Sequence, residues 1–472
     1  MAFFDNLIEN LPEVSGPTQK RLPFKDKLKW TLIVLMIFFV LGMIPLFGLG
    51  ENALQQFEFL SIILGASFGS IISLGIGPIV TASIVLQLLN GSGIWKFDLT
   101  SHEGKKRFQG TQKLFSIFFI ILEGAIYVLM GGLSPSPIGT QFSSGLVMTQ
   151  AMFFQFQMIL ILQLFIGGVL IMFMDEIVSK WGFGSGISLF IAAGVAQQVF
   201  IGAFSFIPDP QNPDALTGAV PVLFQSLASG DPTTAFLKLA AIIATIAVFF
   251  MAVYVQAMKV EIPLSFGRIR GHGIRWPLNF LYTSNIPVIL VAALLANVQL
   301  FGTLLQNWGH PLLGTFSQGQ AVSGFALWVQ GAPIIDNIVT GTFTWALLGQ
   351  SLIYMLFMIV GSVIFSIFWV QSAGMDARSQ AKQMMASGLQ IPGFRKDERV
   401  LERILNRYIW PLTIMGAIAV GFLASFADLL GALSRGTGIL LTVMIIYQLY
   451  EHIAREHMMD MNPMMRKFMG GG

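Results

Sequence analysis

Few residues in this sequence could do covalent or metal chemistry. The pairs Glu451-His452 and Glu456-His457 have neither the order nor the spacing of an H-E-x-x-H zinc helix. Gly182-Phe183-Gly184-Ser185-Gly186 is glycine-rich but lacks the Lys-Ser/Thr of a phosphate loop, so it reads as a flexible lead into a helix. With no cysteine at all, thiolate catalysis, iron–sulfur ligation and disulfides are excluded. The five His stand in loops or the tail, and no Ser/His pair lies within an apolar run, which leaves an intramembrane protease without its dyad. Glu123 is the clearest carboxylate inside such a run. Ion-coupled transporters carry several intramembrane ionisable groups, so Glu123 alone is expected to be a buried, hydrogen-bonded structural residue. Asp175-Glu176, at the end of another apolar run, is expected to make a cap or loop contact. No enzyme activity, cofactor or metal is expected.

The aliphatic residues are more informative. Ile76 and Val80 are spaced i, i+4, as are Ile187 and Ile191, so each pair shares a helix face. Spacing alone cannot distinguish a pore lining from a lipid or core face. The elements that carry these pairs span a membrane. Hydrophobic residues make up 54% of the 472-residue chain and charged residues 11%, against about 25% charged in soluble domains. A spanning helix needs about 20 apolar residues, and ten segments qualify: 28–49, 70–90, 113–132, 151–174, 185–206, 235–258, 281–302, 344–370, 408–427 and 431–452. Runs such as Ile159–Met174 are continuous rather than alternating, which excludes an outer-membrane barrel.

Residues 1–27 carry many charges and no apolar h-region, so they are not a cleaved signal peptide. Phe3, Phe4, Leu7, Ile8 and Leu11 predict a short amphipathic helix, lying on the membrane or on the protein's own cytosolic face. With the N-terminus inside, 25 of the 27 Lys and Arg fall on the cytoplasmic side and only Lys238 and Arg435 outside. The positive-inside rule then puts both termini in the cytoplasm and requires an even number of spans.

The loop after the fifth span divides the chain into two groups of five, which must therefore have opposite membrane orientation, as in inverted-repeat transport proteins. A weak echo links Gly75-Ile76-Gly77-Pro78-Ile79-Val80 to Asn285-Ile286-Pro287-Val288-Ile289. Residues 57–68 are apolar but too short to span, and Gly65, Gly69, Gly75, Gly77 and Pro78 interrupt the run toward the second span. Irregular backbone at membrane depth must be buried in protein or line a cavity, so 57–68 is expected as a re-entrant half-helix. An inverted-repeat secondary transporter is the alternative, disfavoured by the lack of a polar midplane site.

Several stretches resemble the SecY family of protein-conducting channels, in its archaeal and eukaryotic branch: Leu74–Leu89 (LGIGPIVTASIVLQLL), Met174–Gln197 (MDEIVSKWGFGSGISLFIAAGVAQ), Val255–Gly271 (VQAMKVEIPLSFGRIRG) and Gly436–Glu451 (GTGILLTVMIIYQLYE). Lys25–Trp30, Ser284–Leu290 and Gly393–Lys396 add to them. The resemblance implies an all-α polytopic membrane protein, ten helices in two inverted five-helix halves forming a clamshell around an hourglass pore. It implies a cytosolic segment 1–27, an N-terminal half 28–206, a C-terminal half 207–452 with basic loops 259–280 and 371–407, and a cytosolic tail 453–472. By motif position, the pore ring would be Ile76, Val80, Ile187, Ile191, Ile289 and Leu441. The half-helix would be the plug, with Phe59, Ile62, Ile63 and Leu64, and Thr81 and Asn297 would be polar residues of a lateral gate. The implied function is conduction of unfolded secretory proteins across the cell membrane and sideways release of transmembrane segments into the lipid bilayer. The implied partners are SecE and Secβ, signal sequences and nascent chains, and the ribosome, docked through Arg268, Arg270, Arg395 and Lys396.

Overall fold

The computed structural model describes residues 10–19, 22–52, 64–91, 94–95, 97, 101–140, 148–209, 212–266, 273–283, 285–317, 320–386, 389–390, 398–434 and 436–461. Residues 1–9, Phe59, Ile62 and Ile63, and the loop residues Arg268, Arg270, Arg395 and Lys396 lie outside the described residues.

In chain order, the first half contains α1 (Phe24–Met43), β1 (Leu49–Asn52), α2 (Gly77–Gly91), α3 (His102–Leu129), β2 (Leu133–Pro135), α4 (Gln150–Trp181) and α5 (Gly186–Phe204). A connection comes next with β3 (Pro208–Asp209), β4 (Asn212–Leu216) and α6 (Ala219–Ser229). The rest runs α7 (Pro232–Ala257), β5 (Lys259–Phe266), β6 (Gly273–Asn279), α8 (Ile286–Asn307), β7 (Phe316–Ser317), β8 (Gln320–Ala321), α9 (Gly324–Trp328), α10 (Ile334–Val339), α11 (Trp345–Ser372), α12 (Ala377–Ala386), β9 (Leu389–Gln390), α13 (Glu398–Leu429) and α14 (Gly436–Met461). The ten expected spans are α1 to α5, α7, α8, α11, α13 and α14.

Local chemistry sets where these helices start. Ser101 accepts from the Gly104 amide at α3, Thr149 from Met152 at α4, and Thr344 from Leu347 at α11, each an N-cap that satisfies an orphan donor. Asp231 caps α7, with Pro232 in its first turn. The echo between residues 75–80 and 285–289 is visible here: Pro78 and Pro287 each occupy the second position of their helix, α2 and α8.

The observed helices depart from hydropathy in two ways. α3 begins at His102 rather than 113, and α13 at Glu398 rather than 408. Those extra turns carry Lys105, Lys106 and Arg107, or Arg399, Arg403 and Arg407; hydropathy reports contact with lipid, not helix, and misses them. Second, the expected span 70–90 is helical only from Gly77, and residues 71–76 form turns. Its 15 helical residues are about 22 Å long, short of a ~30 Å hydrocarbon layer. Among the described residues, eight helices are long and apolar enough to cross a membrane on their own; α1 and α2 fall outside that count.

One hydrophobic cluster runs through the centre, with Phe38, Phe190, Val195, Val288, Met358, Val420 and Met444 among its members. A second joins Leu64, Leu74, Ile120, Leu160, Leu164 and Leu300. Large apolar side chains such as Met36, Phe250, Leu352 and Trp345 are exposed, an outer surface that fits lipid rather than water. α2 packs on α3 and also meets α8 and α11, while α14 packs on α5, α7 and α13. The connection after α5, expected as a long loop, contains α6, which packs on α7 and is ended by Gly230 in the left-handed region at φ 76°.

Candidate functional site

The six aliphatic residues of the expected ring come from four different parts of the chain and meet in one cluster. Ile76, Val80, Ile191, Ile289 and Leu441 are all 4% exposed or less, and Ile187 packs against the same cluster. α5 supplies Ile187 and Ile191, α8 supplies Ile289, α14 supplies Leu441, and the start of α2 supplies Val80, with Ile76 just before it.

Leu64, the one described residue of the four assigned to the plug, adjoins this cluster through Ile76. It is 1% exposed, and its carbonyl accepts from the Ile76 amide at 2.6 Å. Gly75 permits the approach: a Cβ there would lie 2.2 Å from the Leu64 carbonyl oxygen, and its φ of 57° is in the left-handed region. Gly65 is next in the chain, close to both Phe190 and Ile76. Residues 64–76, which lead into α2, thus lie against the aliphatic cluster.

A polar contact bridges α2 and α8 on one side. Asn297 Nδ2 donates to Thr81 Oγ1 at 3.0 Å. The Thr81 hydroxyl lies 3.0 Å from Glu123 Oε1 on α3 and 2.9 Å from the Gly77 carbonyl, and its single proton serves one of these at a time. Glu123 is 1% exposed, and its Oε2 has no partner among the described residues. Sequence reasoning expected Glu123 to be buried and hydrogen-bonded but did not connect it to Thr81 and Asn297. The only available signal was its isolation: a lone carboxylate in an apolar run requires a polar neighbour.

At the end of the bundle that carries most of the Lys and Arg, the two long basic loops form one unit. β5 pairs with β6 along Lys259–Ser265 and Gly273–Asn279, and β9 adds to β5 through Ser265↔Gln390 and Phe266↔Leu389. A third hydrophobic cluster fastens this sheet to α11, α12 and α13 through Leu278, Ala381, Leu401 and Leu405. Tyr282 donates to the Met375 carbonyl at 2.7 Å, tying the foot of α8 to the foot of α11. At the same end, Glu13 pairs with Lys180 at 2.5 Å, Glu176 accepts from the Val14 amide and pairs with Lys113, and Trp181 donates to the Ser15 carbonyl. Lys180 holds the Glu13 carboxyl below its usual range.

At the opposite end, a cavity of about 660 Å³ is lined by Gln198, Gln330, Asp336, Gln350, Asp428 and Ser434 among others. Beside it, Asp428 accepts from Tyr354 Oη at 2.5 Å, from the Thr437 amide at 2.7 Å and from the Thr437 hydroxyl, joining α11, α13 and α14. Among the described residues no three His, Asp or Glu are grouped to hold a metal.

Comparison with known proteins agrees with this fold. A family model described as SecY matches residues 70–450, and one described as the plug domain of Sec61p matches residues 36–69. The protein translocase subunit SecY of Methanothermobacter thermautotrophicus is 46% identical over 99% of this chain and 98% of its own. A solved structure described as "The structure of a protein conducting channel" superposes with a TM-score of 0.79 at 41% identity, covering 96% of this chain and 97% of the other. A structure of "Sec61 in the Canine ribosome-channel complex from the endoplasmic reticulum" superposes with a TM-score of 0.76 at 41% identity over the same shares.

Proposed function

The chain belongs to the SecY family, and from that premise we propose how its residues do the work of a protein-conducting channel. It is the pore-forming subunit of a protein translocase: a multi-pass membrane protein of ten helices in two inverted halves, conducting unfolded secretory chains and releasing transmembrane segments sideways into lipid. An unsatisfied peptide group in hydrocarbon costs several kcal/mol, so a long polypeptide cannot cross lipid without an aqueous path. The observation that carries the residue-level reading is that all six aliphatic residues, from α2 and the turn before it, α5, α8 and α14, belong to one hydrophobic cluster, with the Leu64 carbonyl bonded to the Ile76 amide.

In this reading Ile76, Val80, Ile187, Ile191, Ile289 and Leu441 are the constriction. Such side chains offer water no hydrogen bond, so a narrow ring dewets and stops ions. The plug at 57–68 backs the ring from outside. The seam between α2 and α8 is the lateral gate, latched by Asn297, Thr81 and Glu123. A signal sequence opens it by partitioning its apolar core into lipid, at about 0.8 kcal/mol per buried CH₂. The halves 28–206 and 207–452 hinge at the connection after α5. The basic end faces the cytoplasm of the cell, with both termini there and the bilayer being the plasma membrane. Arg268, Arg270, Arg395 and Lys396 dock the ribosome through phosphate contacts whose strength falls with salt. The joined β5–β6–β9 sheet supports this role, because it carries both loops on one base. SecE and Secβ complete the complex.

The test is reconstitution of the chain with SecE and Secβ in lipid vesicles, supplied with ribosomes carrying a secretory chain. The reading expects the chain to become protease-protected inside the vesicles only when its signal is intact. Protection that ignores the signal, or none with the assembled complex, would contradict it.

A further inference from the structure

The turn from α4 to α5 leads directly to two residues of the constriction, and it is held by residues outside the turn. Ser185, at the N-cap of α5, makes no side-chain cap bond. The Ile187 amide in the first turn donates instead to Asp175 Oδ1 at 2.9 Å, in the last two turns of α4. Every helix opens with unsatisfied amides, and an aspartate at the positive end of the helix dipole is a strong acceptor for them. The junction is tight: a Cβ on Gly186 would lie 2.6 Å from Asp175 Cα and 2.8 Å from its Oδ1. Earlier in the same turn, the Phe183 amide donates to Thr31 Oγ1 on α1 at 3.1 Å.

We propose that Asp175 is a positioning residue of the channel's seal: by capping α5 from α4, it sets the height of Ile187 and, one turn further, of Ile191 against the other ring residues. The proposal rests on the reading of the six aliphatic residues as the constriction. A helix rises 1.5 Å per residue, so a small axial slip of α5 shifts both isoleucines relative to Ile76, Val80, Ile289 and Leu441. An aliphatic constriction excludes water only while its side chains meet. Asp175 acts through the start of α5.

The experiment reconstitutes the full complex with wild-type, Asp175→Leu, Asp175→Asn or Ile191→Ser chain and measures resting ion efflux per assembled channel, without substrate. Asp175→Leu is expected to raise efflux roughly tenfold, equivalent to the ~1.4 kcal/mol of a lost helix cap. Asp175→Asn keeps an acceptor oxygen and should stay within about twofold of wild type, since Asn and Asp cap comparably. Ile191→Ser should leak in any case. A leaking Ile191→Ser with a tight Asp175→Leu overturns the inference and leaves the ring standing; if neither leaks, the ring reading itself fails. Should Asp175→Leu not assemble, Gly186→Ala keeps the carboxylate while forcing the same junction apart. Raised efflux from it supports the inference, and wild-type efflux overturns it.

Discussion

Replacing Thr81 by Val, and separately Asn297 by Leu, should loosen the seam between α2 and α8 by different amounts. The seam holds a 3.0 Å bond from Asn297 to Thr81 and a 3.0 Å contact from Thr81 to Glu123. Side-chain hydrogen bonds inside membranes average about 0.6 kcal/mol and reach about 1.7. Losing one therefore shifts the open-to-closed ratio roughly 3- to 20-fold. Asn297→Leu removes one contact and leaves Thr81 with Glu123. Thr81→Val removes the partner of both Asn297 and Glu123 while keeping the side-chain shape, so its effect should be the larger. The double variant should add less than the sum, because the two residues share one interaction. The assay is export by the reconstituted complex of a precursor whose signal has a shortened apolar core, with the intact-signal precursor as control. Export of the weak-signal precursor should rise in both variants, more in Thr81→Val. Unchanged export in both, or a larger effect from Asn297→Leu, would refute the reasoning.

The same network predicts that Glu123→Gln, which keeps an acceptor for the Thr81 hydroxyl, exports the weak-signal precursor nearly as wild type, whereas Glu123→Leu behaves like Thr81→Val; equal behaviour of the two would remove Glu123 from the latch. Tyr354→Phe strips Asp428 of its 2.5 Å donor and should cost about 1.5–3 kcal/mol, the range for bonds to charged acceptors. It is read as a lower Tm in detergent, with Thr437→Val adding less than its own effect; an unchanged Tm would contradict it. The Glu13–Lys180 pair holds residues 10–19 against the end of α4. Because Lys180 lowers the Glu13 pKa, the pair's contribution is complete at neutral pH and is lost as pH falls below the usual glutamate value of about 4.3. Protease cleavage within 10–19 should therefore increase below that pH, and Glu13→Gln should show the increase already at pH 7; cleavage independent of both would count against the tether.

The spans were legible because lipid demands long apolar runs, and Ile159–Met174 cannot be read otherwise. The end of each helix was less so, since the charged first turns of α3 and α13 look like loop to any hydropathy argument. Glycines at 65, 69 and 75 announced the irregular start of the second crossing, because left-handed backbone needs them. The β5–β6–β9 sheet was not anticipated. Pro263 and Pro277 argue against strands, and the partner β9 stands far away in sequence. The site divides in the same way. Thr81 and Asn297 were found through resemblance, and Glu123 was noticed as an oddity, but a contact between residues 216 apart in sequence leaves no local pattern. Asp175 was expected to cap or contact a loop, yet only the fold shows that the amide it holds is that of Ile187. Tyr354, Asp428 and Thr437 gave no signal, because single polar residues in three separate spans do not reveal that they meet.

The chain has no cysteine, so a single engineered thiol reports without background. Ile191→Cys, combined with one cysteine placed in turn along an arrested secretory chain, tests the central claim in the reconstituted complex under oxidation. The account predicts a disulfide that forms at a narrow set of chain positions and requires a functional signal sequence. Normal binding of the arrested chain with no cross-link at any position would place Ile191 outside the conducting path and contradict the account.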